Sequence, residues 1–162
     1  MTLTLNLSSE ERNTLLGGPL AAAMAVMAVD LGIFSSAQEA IALGKELSTA
    51  ATRYADNSLI TSLFDPEALK QGINPDKPSI TADDVKAGKV LDRALEQVDR
   101  AMSLVREKCD APTAQQYAQL IVDGCVAVAE AAGKGLFGSG EKVSPEERAA
   151  LDRIRQHLGV AA

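Results

Sequence analysis

Asp123 and Glu130 are the first residues whose type and spacing could do chemistry. Two carboxylates on one helical stripe can share a proton or grip a cation. Either use needs a further acid or a histidine at ligand spacing, and none follows here. Seven residues apart, with Gln116 and Gln119 on the same side, they read as an ordinary solvated face. His157 is the only histidine, so neither a His-centred triad nor a multi-His metal site can be built within one chain. Gly133-Lys134-Gly135-Leu136-Phe137-Gly138 matches GxGxxG. That fingerprint cradles a pyrophosphate only when it follows a strand and opens a helix. Here it follows a predicted helix, and the next helix begins only after Val143. Residues 133–143 are therefore expected to form a connection, with Leu136 and Phe137 tucked onto the core. There is no Walker loop, CxxC, HExxH or GxSxG. The chain is read as not an enzyme, with no catalytic residue, cofactor or metal ligand assigned. Asp30, Glu39, Asp123 and Glu130 are the acids to watch for a metal.

The totals exclude further classes. The 162 residues suit one domain, here 1–162, and 46% apolar with 23% charged residues is ordinary for a globular chain. Aromatics are only 3% and Trp is absent, so the core must be filled with Leu, Ile, Val, Met and Ala. That favours close-packed helices over a β-sandwich. A net charge of −6 without a basic run argues against nucleic acid as a partner. Cys109 and Cys125 fall on successive predicted helices. Antiparallel packing would leave them about 18 Å apart along the axis, beyond the roughly 7 Å a disulfide spans. Two free thiols suit the cytoplasm. No basic segment precedes the first apolar run, so no secretory leader is expected.

These residues must be positioned by helices, and the stretch Leu15–Phe34 organises the rest. Asp30 is its single charge. Its uncharged part, Leu15–Val29, is shorter than the roughly 20 residues a membrane span needs. Every face of a helix from Pro19 to Val29 is apolar, so it must be buried. Ser8 and Glu11 form a capping box that starts a helix. Gly17-Gly18-Pro19 is expected to break or kink it, because Pro19 cannot donate to residue 15. A helix restarting at Pro19 should end near Asp30, with Gly32 as its stop.

Ser36 and Glu39 form a second capping box, followed by an apolar stripe at Ala37, Ile41, Gly44, Leu47, Ala51 and Tyr54. Short helices are expected over Leu59–Phe64 and after Pro66, and residues 72–79 form the longest internal connection. Thr81 is expected to cap the longest helix, with Leu91, Leu95, Val98, Met102, Val105 and Cys109 in 4-3-4-3-4 spacing. That seam is too short for a coiled coil and reads as one face of an intramolecular bundle. Thr113 and Gln116 should cap a helix burying Tyr117, Ile121, Cys125, Val128 and Ala132. Ser144, Pro145 and Glu147 start the last helix, which buries Ala150, Leu151, Ile154 and Leu158 and stops at Gly159.

A weak internal echo joins the two ends. Ala25-Val26-Met27-Ala28-Val29-Asp30 leads through Gly32 to Ser36-Ala37-Gln38-Glu39. Ala127-Val128-Ala129-Glu130-Ala131-Ala132 leads to Ser144-Pro145-Glu146-Glu147. With this pattern the chain resembles the tellurite-resistance TerB-type helical proteins over residues 10–55 and 113–160. It is similar also to small uncharacterised all-helical bacterial proteins. The resemblance implies an all-helical fold and a metal-ion or small-molecule binding role in stress response, through acids in the loops. This chain departs from the pattern, with Asp30-Leu31-Gly32 in the first loop and no acid before Glu141 in the second.

The sequence thus predicts an all-α compact bundle of about five to seven helices around an Ala/Met/Val-rich central helix. Helices beginning near Ser36, Thr81 and Thr113 should pack on it. The expected function is a structural or protein-interaction module, a homodimer without nucleic-acid or membrane partners. The alternative is the TerB-like binding protein.

Overall fold

The structure, a computed structural model, describes residues 5–31, 37–70, 75–76, 79–136 and 143–162. At 30–31, 37–41, 68–69 and 132–136 it describes the backbone alone. The described residues form eight helices and no strand: α1 (Ser9–Leu31), α2 (Ala37–Arg53), α3 (Ser58–Phe64), α4 (Pro66–Lys70), α5 (Ala82–Lys86), α6 (Val90–Lys108), α7 (Ala111–Leu136) and α8 (Pro145–Leu158). All but the five-residue α5 pack in contact as an all-α bundle around α1, which touches α6, α7, α8 and α3. None of them is long and apolar enough to cross a membrane.

The capping box at Ser8 is present. Its hydroxyl accepts from the Glu11 amide at 3.1 Å, and its own amide donates to the Glu11 carboxylate at 2.8 Å. From there α1 runs as one helix through Gly17-Gly18-Pro19, so the chain does not break there. Pro19 removes the amide that should bond the Leu15 carbonyl, and a carbonyl buried without a donor costs about 1–3 kcal/mol. Tyr117, reaching across from α7, donates its hydroxyl to that carbonyl. The two glycines are occupied in the same way. A Cβ on Gly18 would lie 2.9 Å from both Ala101 Cβ and Tyr117 Oη, and one on Gly17 would lie 2.6 Å from the Asp76 carbonyl oxygen. Neighbours fill the notch, and the helix continues.

Ala21, Ala22, Ala23, Ala25 and Val26 are completely buried. Their small volume lets the α6 seam come close. Leu91, Leu95, Val98, Met102 and Val105 are all buried, each worth about 1.5–3 kcal/mol on transfer from water. The seam is therefore intramolecular, as its length predicted.

Several boundaries differ from expectation. Thr81 does cap a helix, with Asp84 completing the box, but that helix is the five-residue α5. Gly88, in left-handed backbone at φ 67°, turns the chain before α6 begins. The longest helix is α7, and its cap is Asp110, not Thr113: the Thr113 amide donates to the Asp110 carboxylate at 2.9 Å. Gln116 instead accepts from Asn57 Nδ2 at 2.7 Å, while Asn57 Oδ1 caps α3. On α2 Leu43 and Ala50 are buried, Leu47, Ala51 and Tyr54 of the expected stripe pack half-buried on the core, and Gly44 is exposed. This helix packs mainly on α7 and α3 rather than on α1. Gly124 permits it, since Leu43 Cδ1 comes within 3.2 Å of where a Cβ would stand. Residues 133–136 continue α7, so the expected connection starts later; Phe137 and the rest of 137–142 lie outside the described residues. The Ser36 cap and Gly32 stop also lie outside them. Ser144, Pro145, Glu147 and left-handed Gly159 bound α8 as expected.

The caps carry a pH dependence. Hydrogen bonds from Thr81, followed by the Arg93 guanidinium, hold the Asp84 carboxyl below its ordinary range. Lys108, 2.6 Å away, and then Ser8 do the same for Glu11, and Thr113 does so for Asp110. A carboxyl depressed in the folded state contributes stability that is complete above its unfolded pKa. That contribution is lost as pH falls through the folded value. Thermal unfolding followed from about pH 6 down to about pH 3 should show falling stability, and Asp84→Asn should flatten that slope. An unchanged slope would contradict the assignment.

Candidate functional site

The acids singled out by spacing fare differently. Asp123 is half-buried at the α2–α7 contact, not solvated as expected. Tyr54, just past the end of α2, donates its hydroxyl to Asp123 Oδ2 at 2.7 Å, and Gln119, one turn back on α7, donates to Oδ1 at 2.8 Å. Arg53 adds an ion pair at 3.3 Å and holds Glu46 with both guanidinium nitrogens. The helical spacing explains the assembly. Glu46 and Arg53 are two turns apart on one face of α2, and Gln119 and Asp123 form an i,i+4 pair on α7.

Every strong group in this network is already matched. The bond to Glu46 raises the Arg53 pKa, and burial followed by the hydrogen bond to Asp123 raises that of Tyr54. Both shifts move these groups away from titration near neutrality. Such a network fixes two helices and is poorly suited to passing protons. Asp123→Ala should strand the Tyr54 hydroxyl and the Gln119 amide. The expected loss is about 1–2 kcal/mol, read as a lower urea midpoint with an unchanged slope.

Glu130 is exposed on the same face of α7, and the side chains of Asp30 and Glu39 lie outside the described residues. Among the described residues no group of three His, Cys, Asp or Glu side chains could hold a metal ion. The chain matches no family model, no curated protein and no solved structure. What it does must be argued from its own surface.

Cys109 and Cys125 are both free thiols. Cys125 is fully buried, and desolvation pushes its pKa up to about 12 although Arg155 opposes the shift. Burial also raises that of Cys109. Neither is a thiolate nucleophile at neutral pH. His157 Nε2 lies 2.7 Å from Asp99 Oδ1, tying α8 to α6. Arg153 and Asp92 make a second link between the same helices, one turn earlier on α8 and two turns earlier on α6.

Beside the Arg53 network runs a groove between α2 and α7. Two adjoining depressions of about 530 and 620 Å³ share Glu46, Arg53, Ala127 and Glu130. Val122, Val126 and Ala131 add to the floor, Lys45 stands on one side, and Arg155 with Ala161 closes one end. From Gln119 to Ala131 the groove follows α7 for about 18 Å. Sequence patterning placed Tyr54 on the apolar stripe of α2 but did not reveal Arg53 and Glu46. Arg53 reaches Asp123 on a helix 70 positions away, and only its i,i+7 pairing with Glu46 on one face of α2 hinted at either residue.

Proposed function

We propose that the protein is a non-enzymatic helical module acting through contact with another protein, and that a second copy of itself is the first partner to test. The α2–α7 groove carries this reading. Its lining joins the small apolar side chains of Val122, Val126, Ala127 and Ala131 to side chains of both charge signs, and its length equals about three helical turns. Those are the attributes of a surface that receives a partner helix. Glu46, Arg53 and Asp123 at its edge are pinned by ion pairs, which suits recognition of shape more than turnover. The two unpaired thiols support a reducing compartment such as the cytoplasm.

The test fills the groove. Ala127 is half-buried on the floor, so Ala127→Trp should obstruct it while leaving the core intact. Sedimentation velocity at micromolar concentration is expected to show a dimer for the natural chain and a monomer for Ala127→Trp. A monodisperse monomer for the natural chain, or a dimer indifferent to the substitution, would contradict the proposal.

A further inference from the structure

We propose that a second copy of the chain seats on the α2–α7 groove about a two-fold axis running along it, so that Lys45 of each copy pairs with the partner's Glu130. This rests on the groove being the contact surface and adds which side chains meet there. The two walls differ in charge. Lys45 and Arg53 make the α2 wall basic, whereas the charged residues of the α7 wall, Asp123 and Glu130, are both acidic. Glu46 is the exception on α2, and Arg53 already holds it with both guanidinium nitrogens. Arg155, at the α8 end, is engaged by Asp152. Lys45 and Glu130 line the same depression and are both exposed. Among the described residues neither side chain forms an ion pair or a hydrogen bond.

The direction of the helices selects the symmetry. Ala42 and Ala131 share one depression, and Asn57, beyond the other end of α2, reaches Gln116 on α7 at 2.7 Å. The two helices are therefore antiparallel. A half-turn about the groove's long axis lays the partner's α2 over α7 and the partner's α7 over α2, at unchanged positions along the groove. Each basic wall then faces an acidic one. Lys45 meets the partner's Glu130 at two equivalent places, as an isologous interface requires. Each helix also lies antiparallel to the one it meets, the arrangement of an up-and-down four-helix bundle. An axis across the groove would instead set basic wall on basic wall and acidic on acidic, which opposes association.

The test reverses the two charges and then mixes the chains. Both side chains are exposed, so the core is left untouched. In sedimentation velocity on the full chain, Lys45→Glu and Glu130→Lys should each raise the dimer dissociation constant about tenfold or more, because each sets like charges together at both contacts. An equimolar mixture of the two variants should recover a heterodimer within about threefold of the natural constant, since an acidic chain then faces a basic one at both contacts. Reversals that leave the natural constant unchanged, or a mixture no tighter than either variant alone, would overturn the pairing while Ala127→Trp still reports on the groove. A natural chain that stays monomeric would overturn the groove reading and the pairing with it.

Discussion

Gly18→Val is expected to lower the melting temperature by about 6–12 °C, from a loss of about 3 kcal/mol at roughly 2–4 °C per kcal/mol for a chain of this length. The reason is local and geometric. Its Cβ would stand 2.9 Å from Ala101 Cβ, which sits directly on the α6 backbone and cannot rotate away. The same Cβ would press on Tyr117 Oη and unseat its bond to the Leu15 carbonyl. Overpacking and a stranded carbonyl then add. Gly44, exposed on α2 with nothing within 4 Å of its Cβ position, provides the control. Gly44→Ala should stabilise the protein by about 0.5–1 kcal/mol through helix propensity alone. Thermal denaturation of the two variants separates a glycine needed for packing from one that is not. Equal effects would contradict the assigned role of Gly18.

Tyr117→Phe is expected to cost about 1–3 kcal/mol, although it removes one oxygen and leaves the ring in place. Tyr117 is completely buried, and burial raises its pKa, so the hydroxyl stays protonated and acts only as a donor to Leu15. Without it the Leu15 carbonyl faces the Pro19 ring with no donor. Denaturant titration should show the midpoint falling at constant slope. A neutral substitution would mean that another group satisfies the carbonyl.

How far the fold was legible depended on whether a residue's partner lay nearby in sequence. The apolar seam of α6, the burial of the Ala-rich stretch and the boxes at Ser8 and Ser144 follow from spacings of three and four residues. They were read correctly. The continuity of α1 could not be read that way, because Pro19 and Tyr117 lie about a hundred positions apart. Local rules say that Gly17-Gly18-Pro19 breaks a helix, and tertiary contacts override them. The break at Gly88 was missed for the opposite reason. Strong apolar periodicity after Val90 masked a left-handed glycine that ends α5. At the candidate site, Asp123 was singled out by type, but Arg53, Glu46 and Tyr54 became visible only once α2 lay against α7. Asp123 is consequently a structural acceptor rather than half of a carboxylate pair with Glu130.

These observations converge on one claim: the bundle is built around α1, and the Tyr117 hydroxyl stands in for the amide that Pro19 lacks. A double-mutant cycle of Tyr117→Phe with Pro19→Ala tests it most directly, since the second substitution restores an amide that can donate to Leu15. Tyr117→Phe should cost about 2 kcal/mol in the natural chain and less than about 0.5 kcal/mol in the Pro19→Ala background, giving a coupling above about 1 kcal/mol. An identical cost in both backgrounds would contradict it.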